Sequence, residues 1–121
     1  MSNTYNATIT TITGEAGPIN ATNLTDDDQN PTGGSVTALG VSIDWQHGPR
    51  GTEDGTLAPA TGAFVEDLVL IARNRLEFFQ DSKFRCRENA LAITKLEEAL
   101  HWMQHRRTDR AARGVEGKHE A

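Results

Sequence analysis

Between residues 63 and 113 the apolar positions recur at helical spacing, uninterrupted by glycine or proline. Val65, Leu68, Val69, Ala72, Leu76 and Phe79 follow an i, i+3, i+4, i+7 pattern, a stripe wide enough to seat a helix on a neighbour. Phe64, Leu70 and Phe78 lie off that stripe and predict a second covered face. Cys86, Leu91, Ile93, Leu96, Ala99, Leu100 and Met103 form a second pattern. The polar break at Gln80-Asp81-Ser82 separates the two, with Asp81 or Ser82 expected as the N-cap of the second helix. Gly114 is a natural C′ stop. The spacing thus predicts a helical hairpin of about 18 and 28 residues, roughly 27 and 42 Å long. So long a helix on so short a chain implies that an oligomer covers its surplus length.

The first 62 residues have a different texture, holding most of the eleven glycines and all four prolines. Residues 7–13 (ATITTIT) alternate with β-branched side chains. Residues 36–46 (VTALGVSIDWQ) place Val41, Ile43 and Trp45 on one face, the period of a half-buried strand. Two to four strands are expected. Residues 23–35 read as an acidic loop, and Gly48-Pro49-Arg50-Gly51 begins a second loop running to Pro59. The expected fold class is α+β: a small antiparallel sheet over residues 1–62, followed by an antiparallel two-helix hairpin over residues 63–121, in a single domain spanning 1–121.

A length of 121 residues and 13.2 kDa excludes a multidomain enzyme. The longest apolar run, residues 68–72, is far shorter than the roughly 20 residues a membrane span needs. The opening MSNTYNATITT lacks a basic region followed by an apolar one, which predicts a cytoplasmic protein. The Asn-x-Thr triplets at Asn6, Asn20 and Asn23 are then chance products of an Asn/Thr-rich segment. Charge is unevenly divided. Residues 1–63 carry Arg50 against seven acidic residues, a net −6, whereas residues 64–121 carry eleven basic and ten acidic ones. A total of −5 argues against a protein that coats nucleic acid through an overall positive field. A small anionic ligand gripped by a few arginines fits better.

Catalytic candidates are poor. Glu98, His101 and His105 share a helical face, but a carboxylate-bridged metal pair would need a second Glu-x-x-His motif, and the sequence has none. Cys86 lies between Arg85 and Arg87, which favours a thiolate, although an apolar position favours a core role. Gly114-Val-Glu-Gly117-Lys118 differs from a P-loop in glycine spacing and in following a helix. It reads equally as a helix cap or as a nest of N–H groups that, beside Arg110 and Arg113, holds a phosphate. Arg106, Arg107, Arg110 and Arg113 put four guanidiniums within eight residues, more than the helix dipole alone requires. Phe78 and Phe79 cannot share one face, so one of them reaches a surface or interface. An aromatic ring and a guanidinium with a base between them, and an amide such as Asn89 reading its edge, form a common grip on a nucleobase.

The run from Phe84 to Trp102 (FRCRENALAITKLEEALHW), then Arg106-Arg107-Thr-Asp-Arg110, then Arg113-Gly-Val-Glu-Gly117, resembles the helical hairpin of phage anti-defence sponges. It is most similar to the first family of Thoeris anti-defence proteins, whose hairpin is shared with phage anti-CBASS sponges. Trp45-Gln46-His-Gly-Pro49 and Gly62-Ala-Phe-Val-Glu-Asp67 give weaker support. The resemblance covers residues 40–120 and none of the first 39. It implies dimers assembled into a hexamer that hold immune signals without cleaving them; from the residues themselves no cofactor and no metal are expected. The signal it implies is a glycocyclic ADP-ribose, with cyclic trinucleotides in a separate site for some members. Carried over by spacing, Phe79 and Arg106 would sandwich the adenine, Asn89 would contact it, and Arg87 would face the trinucleotide. Lys118 stands where the family usually has threonine, and Arg50, the only arginine before the hairpin, is no clear match for a strand arginine of some relatives.

The sequence leaves three other readings open: a small nucleic-acid-binding accessory protein using the basic C-terminal helix, a structural or assembly protein, and a cyclic-nucleotide hydrolase.

Overall fold

The computed structural model describes residues 3–11 and 17–114. They fall into two compact units that meet in sequence at Ala63/Phe64.

The first unit is a four-stranded antiparallel meander in the order β1-β2-β3-β4: β1 Asn3–Ile9, β2 Ile19–Thr25, β3 Pro31–Ala38 and β4 Val41–Asp44. The expected strand over residues 7–13 lies earlier, at β1, and residues 12 and 13 fall outside the described part. The expected single strand over residues 36–46 is divided by a turn at Leu39-Gly40, where Gly40 has a φ of 80°. The expected acidic loop over residues 23–35 is mostly strand. Only residues 26–30 turn, because the Asp26 carboxylate accepts from the Asp28 and Asn30 N–H groups, each at 2.9 Å. Local side-chain capping of this kind lets a very short polar segment reverse the chain. Gly34 makes the pairing possible, since a Cβ there would lie 2.0 Å from the Thr22 carbonyl oxygen.

Register separates the side chains into two faces. Ala7, Ala21, Val36 and Ile43 pair in one row across all four strands, with Ile9 opposite Ile19 and Ala38 opposite Val41 beside it. Pairing with alternation puts these on the same face. The other face is polar: Asn6, Thr22, Ser35 and Asp44 form its corresponding row, and Thr22 Oγ1 donates to Asn6 Oδ1 at 3.0 Å.

Beyond β4 the chain leaves and returns. Gln46 N–H donates to the Ala63 carbonyl at 3.0 Å, Ala63 N–H donates to the Asp44 carbonyl at 2.8 Å, and Thr61 N–H donates to Gln46 Oε1 at 2.8 Å. Trp45 and Ala63 form a parallel bridge. The two segments that gave the weaker family support thus meet in space through their backbones. Gly62 permits the approach, because a Cβ there would lie 2.5 Å from the Trp45 carbonyl carbon and oxygen.

The second unit consists of α1 Val65–Gln80 and α2 Arg87–Ala112, packed on each other and joined by six residues. A connection this short returns the chain antiparallel. The sheet and helical pair confirm the α+β class. α1 begins where the Asp67 carboxylate accepts from the Phe64 N–H at 2.8 Å. The expected N-caps of α2 are corrected: Asp81 is the C-cap of α1, Ser82 donates its hydroxyl to the Phe79 carbonyl, and the N-cap of α2 is Cys86. The two-helix pair encloses little: apart from Arg110, no residue of either helix is buried.

Candidate functional site

The turn between the helices fixes one end of the hairpin. Gln80 at the end of α1 accepts twice: its carbonyl from Arg85 Nε at 3.0 Å, and its side-chain Oε1 from the Cys86 N–H at 2.9 Å. Cys86 Sγ in turn accepts the Asn89 N–H at 3.4 Å, so Asn89 sits in the first turn of α2 beside the last turn of α1. Cys86 is therefore a cap rather than a core side chain. Phe79, half-buried, and Phe78, exposed, meet edge to face with centroids 5.9 Å apart. The Arg75 guanidinium lies 5.2 Å from the Phe78 centroid and 5.0 Å from that of Phe79. Sequence reasoning missed Arg75, although its i, i+3 and i, i+4 spacing to the two rings was a usable signal.

Arg87 opens α2 and is exposed. It precedes Asn89 by two residues, about 200° around the helix, so the two point to different surroundings.

The other end carries the arginines. Arg106 is exposed, whereas Arg110 is 8% exposed, the only buried charged residue among those described. Arg113 is the C-cap and pairs with Asp109 at 3.2 Å, and Gly114 follows with a φ of 72°. Gly117 and Lys118 lie outside the described residues. Trp102, one turn before Arg106, is 68% exposed and flanked edge-on by His101 at 6.0 Å and His105 at 5.7 Å. Sequence reasoning took no notice of this exposed ring, whose signal was a tryptophan off the apolar stripe. On the face that raised the metal question, Glu98 pairs with Lys95 at 3.5 Å.

The hairpin therefore brings Phe79 and Asn89 together at one end and collects Arg106, Arg110 and Arg113 at the other. Seventeen residues of helix separate Asn89 from Arg106, a rise of about 25 Å. A base stacked between an aromatic ring and a guanidinium spans only ~7 Å, so Phe79 and Arg106 of one chain cannot grip the same base.

Comparison with known proteins places this hairpin. The family model described as "Acb2/Tad1, hairpin domain" matches residues 40–108. The protein named Thoeris anti-defense 1, from Bacillus phage SBSphiJ7, is 52% identical over 80 residues, which are 66% of this chain and 53% of that relative. The chain thus spans about half the length of the curated relative it matches. The model's match takes in β4, the Trp45–Ala63 bridge, α1, the Cys86-capped turn and α2 as far as Thr108, leaving β1 to β3 outside. On that ground the chain belongs to the Acb2/Tad1 hairpin-domain family.

Proposed function

We propose that this is a phage anti-defence protein that sequesters a cyclic nucleotide immune signal, a glycocyclic ADP-ribose of the Thoeris type, in the cytoplasm of the infected host without cleaving it. The observation that carries the reading is the segregation of the two halves of a nucleotide grip to opposite ends of a family hairpin. Two copies associated antiparallel along their hairpins bring the Phe79/Asn89 end of one beside the arginine end of the other. The adenine then stacks between Phe79 and the partner copy's Arg106, and Asn89 reads its edge. Arg113 and Gly117 are the residues assigned to the phosphates, and Arg110, buried in its own chain, sets the position of the last turns of α2. Charge-assisted hydrogen bonds and exclusion of water make release slow, which is what sequestration requires. Further association of such dimers to a hexamer gives Arg87 a three-fold axis, where a cyclic trinucleotide supplies three matching phosphates.

Co-expression of two single variants tests the arrangement. Phe79→Ala and Arg106→Ala each lose binding alone. A mixed dimer holds one doubly damaged site and one wild-type site, so random co-assembly restores about a quarter of the wild-type sites. No restoration overturns the two-copy site. Heating the loaded wild-type protein should return the signal intact, whereas recovery of a cleaved product would make the protein an enzyme.

A further inference from the structure

We propose that Trp102 is a wall of the base pocket, closing it on the side away from the phosphates and covering the edge of the adenine that the partner copy's Asn89 reads. The inference rests on the two-copy site proposed above and adds to it a side chain that has no role so far.

The hairpin that carries this ring does not use it for packing. Half-buried Leu96, Leu100 and Met103 mark the apolar stripe of α2, and Trp102 lies about 120° around the helix from the centre of that stripe. Neither α1 nor α2 covers it: the residue is 68% exposed, and its ring contacts are with His101 and His105 of its own helix, edge to face at 6.0 and 5.7 Å. Tryptophan is the residue whose large apolar area is most often spent on binding rather than left in water. The two imidazole edges hold the indole in place beforehand, so little side-chain freedom is lost when a ligand arrives.

Its place along α2 names the ligand part it meets. Arg106 follows by four residues, about 40° around the helix and 6 Å along it, and Arg113 by eleven, about 20° around and 16 Å along. One strip of α2 thus carries an indole, then the guanidinium assigned to the base, then the guanidinium assigned to the phosphates. Side chains four apart on a helix are neighbours, with Cβ atoms about 5–6 Å apart. An adenine is longer than that, so a base lying on Arg106 reaches Trp102. With the phosphates at Arg113, the ribose side of the base points down the helix, and the edge bearing N1 and the 6-amino group points back toward the indole. Water is then kept from the hydrogen bonds between that edge and Asn89, which strengthens them. The strip closes there, because Lys95 and Glu98, one and two turns earlier, pair with each other at 3.5 Å.

The test uses the full chain and glycocyclic ADP-ribose. In calorimetric titration Trp102→Ala should weaken binding roughly 2- to 12-fold, and Trp102→Phe, which keeps an apolar ring, should stay within about 2-fold of wild type. Trp102→Ala that binds as wild type overturns the wall. If Trp102→Ala fails to fold, quenching decides without altering the residue. In a Trp45→Phe background, acrylamide should quench Trp102 readily in the free protein and several-fold less at saturating signal. A ring already shielded without the signal, or quenched equally with and without it, overturns the proposal, since an indole with a purely structural role would behave in one of those two ways. Full binding by Trp102→Ala beside losses in Phe79→Ala and Arg106→Ala strikes the wall alone. Full binding by Phe79→Ala and Arg106→Ala removes the base grip itself, and the wall with it.

Discussion

The guanidinium of Arg75 stands 5.0 Å from the centre of the Phe79 ring, one helical turn away on α1. The chain itself therefore offers Phe79 a cation before any ligand arrives. An exposed contact of this kind is worth about 0.5–1 kcal/mol. Arg75→Ala should weaken binding of the ADP-ribose signal only about 2- to 5-fold, by loosening the ring. Phe79→Ala removes the stacking surface, worth ~1–3 kcal/mol, and should weaken it roughly 5- to 150-fold. Calorimetric titration of both variants distinguishes the ring as a ligand platform, where Phe79→Ala is far the worse, from a structural pair, where the two are equal.

Gly62→Ala should destabilise the protein. The added carbon would meet the Trp45 carbonyl group at 2.5 Å and the Asp44 carbonyl oxygen at 2.6 Å, so the backbones must part and their hydrogen bonds lengthen. Overpacking of this kind costs about 1–3 kcal/mol, a fall in Tm of roughly 5–15 °C for a domain of this size. Thermal melting followed by circular dichroism measures it, and an unchanged Tm would show that the bridge does not hold the fold.

Arg87→Ala should abolish binding of cyclic trinucleotides and leave binding of the ADP-ribose signal within about 2-fold of wild type. The basis is the angular separation of Arg87 from Asn89 on α2. Equal losses for both ligands, or a wild-type protein that ignores every cyclic trinucleotide, would remove the second site and spare the first.

The Asp54 carboxylate should titrate at about 2, below its ordinary 3.8, chiefly because the Thr52 hydroxyl donates to it, then the Thr56 hydroxyl and the Thr56 N–H. A carboxyl held low in the folded chain stabilises that chain above pH 3.8, and the contribution is lost as pH falls through about 2. Carbon-detected NMR of the carboxyl against pH reads the midpoint directly. In Thr52→Val the midpoint should move back up.

The helices were legible in the sequence because two apolar stripes with a clean break have only one regular solution, and their bounds fell within a few residues of the structure. The strands were less so. β2 and the start of β3, INATNLT and PTGGSVT, pair through the backbone with few large side chains, and their Asn, Thr, Gly and Asp content looks the same in a loop as in a strand with one polar face. The caps failed for a related reason: Asp81 and Ser82 have the right chemistry, but the bonds from Gln80 carry the turn four residues further, to Cys86. Spacing put Asn89, Arg106 and Arg110 on the second helix, where they lie, with Arg113 as its C-cap. It could not show that Phe79 and Arg106 stand a hairpin's length apart, since that follows only from how the chain returns on itself.

The sulfur that begins α2 has a mechanical consequence. Thiol sulfur is a weaker acceptor than the hydroxyl or carboxylate oxygen usual at this position, and its bond to the Asn89 N–H is long, at 3.4 Å. The first turn of α2 is therefore held at Asn89 by a soft link, while the Gln80 bonds hold the turn just before it more stiffly. Compliance is concentrated at Asn89. Small shifts of the Asn89 backbone cost little there, so in the pocket proposed above this end of the hairpin would adjust to a guest without disturbing the helix behind it.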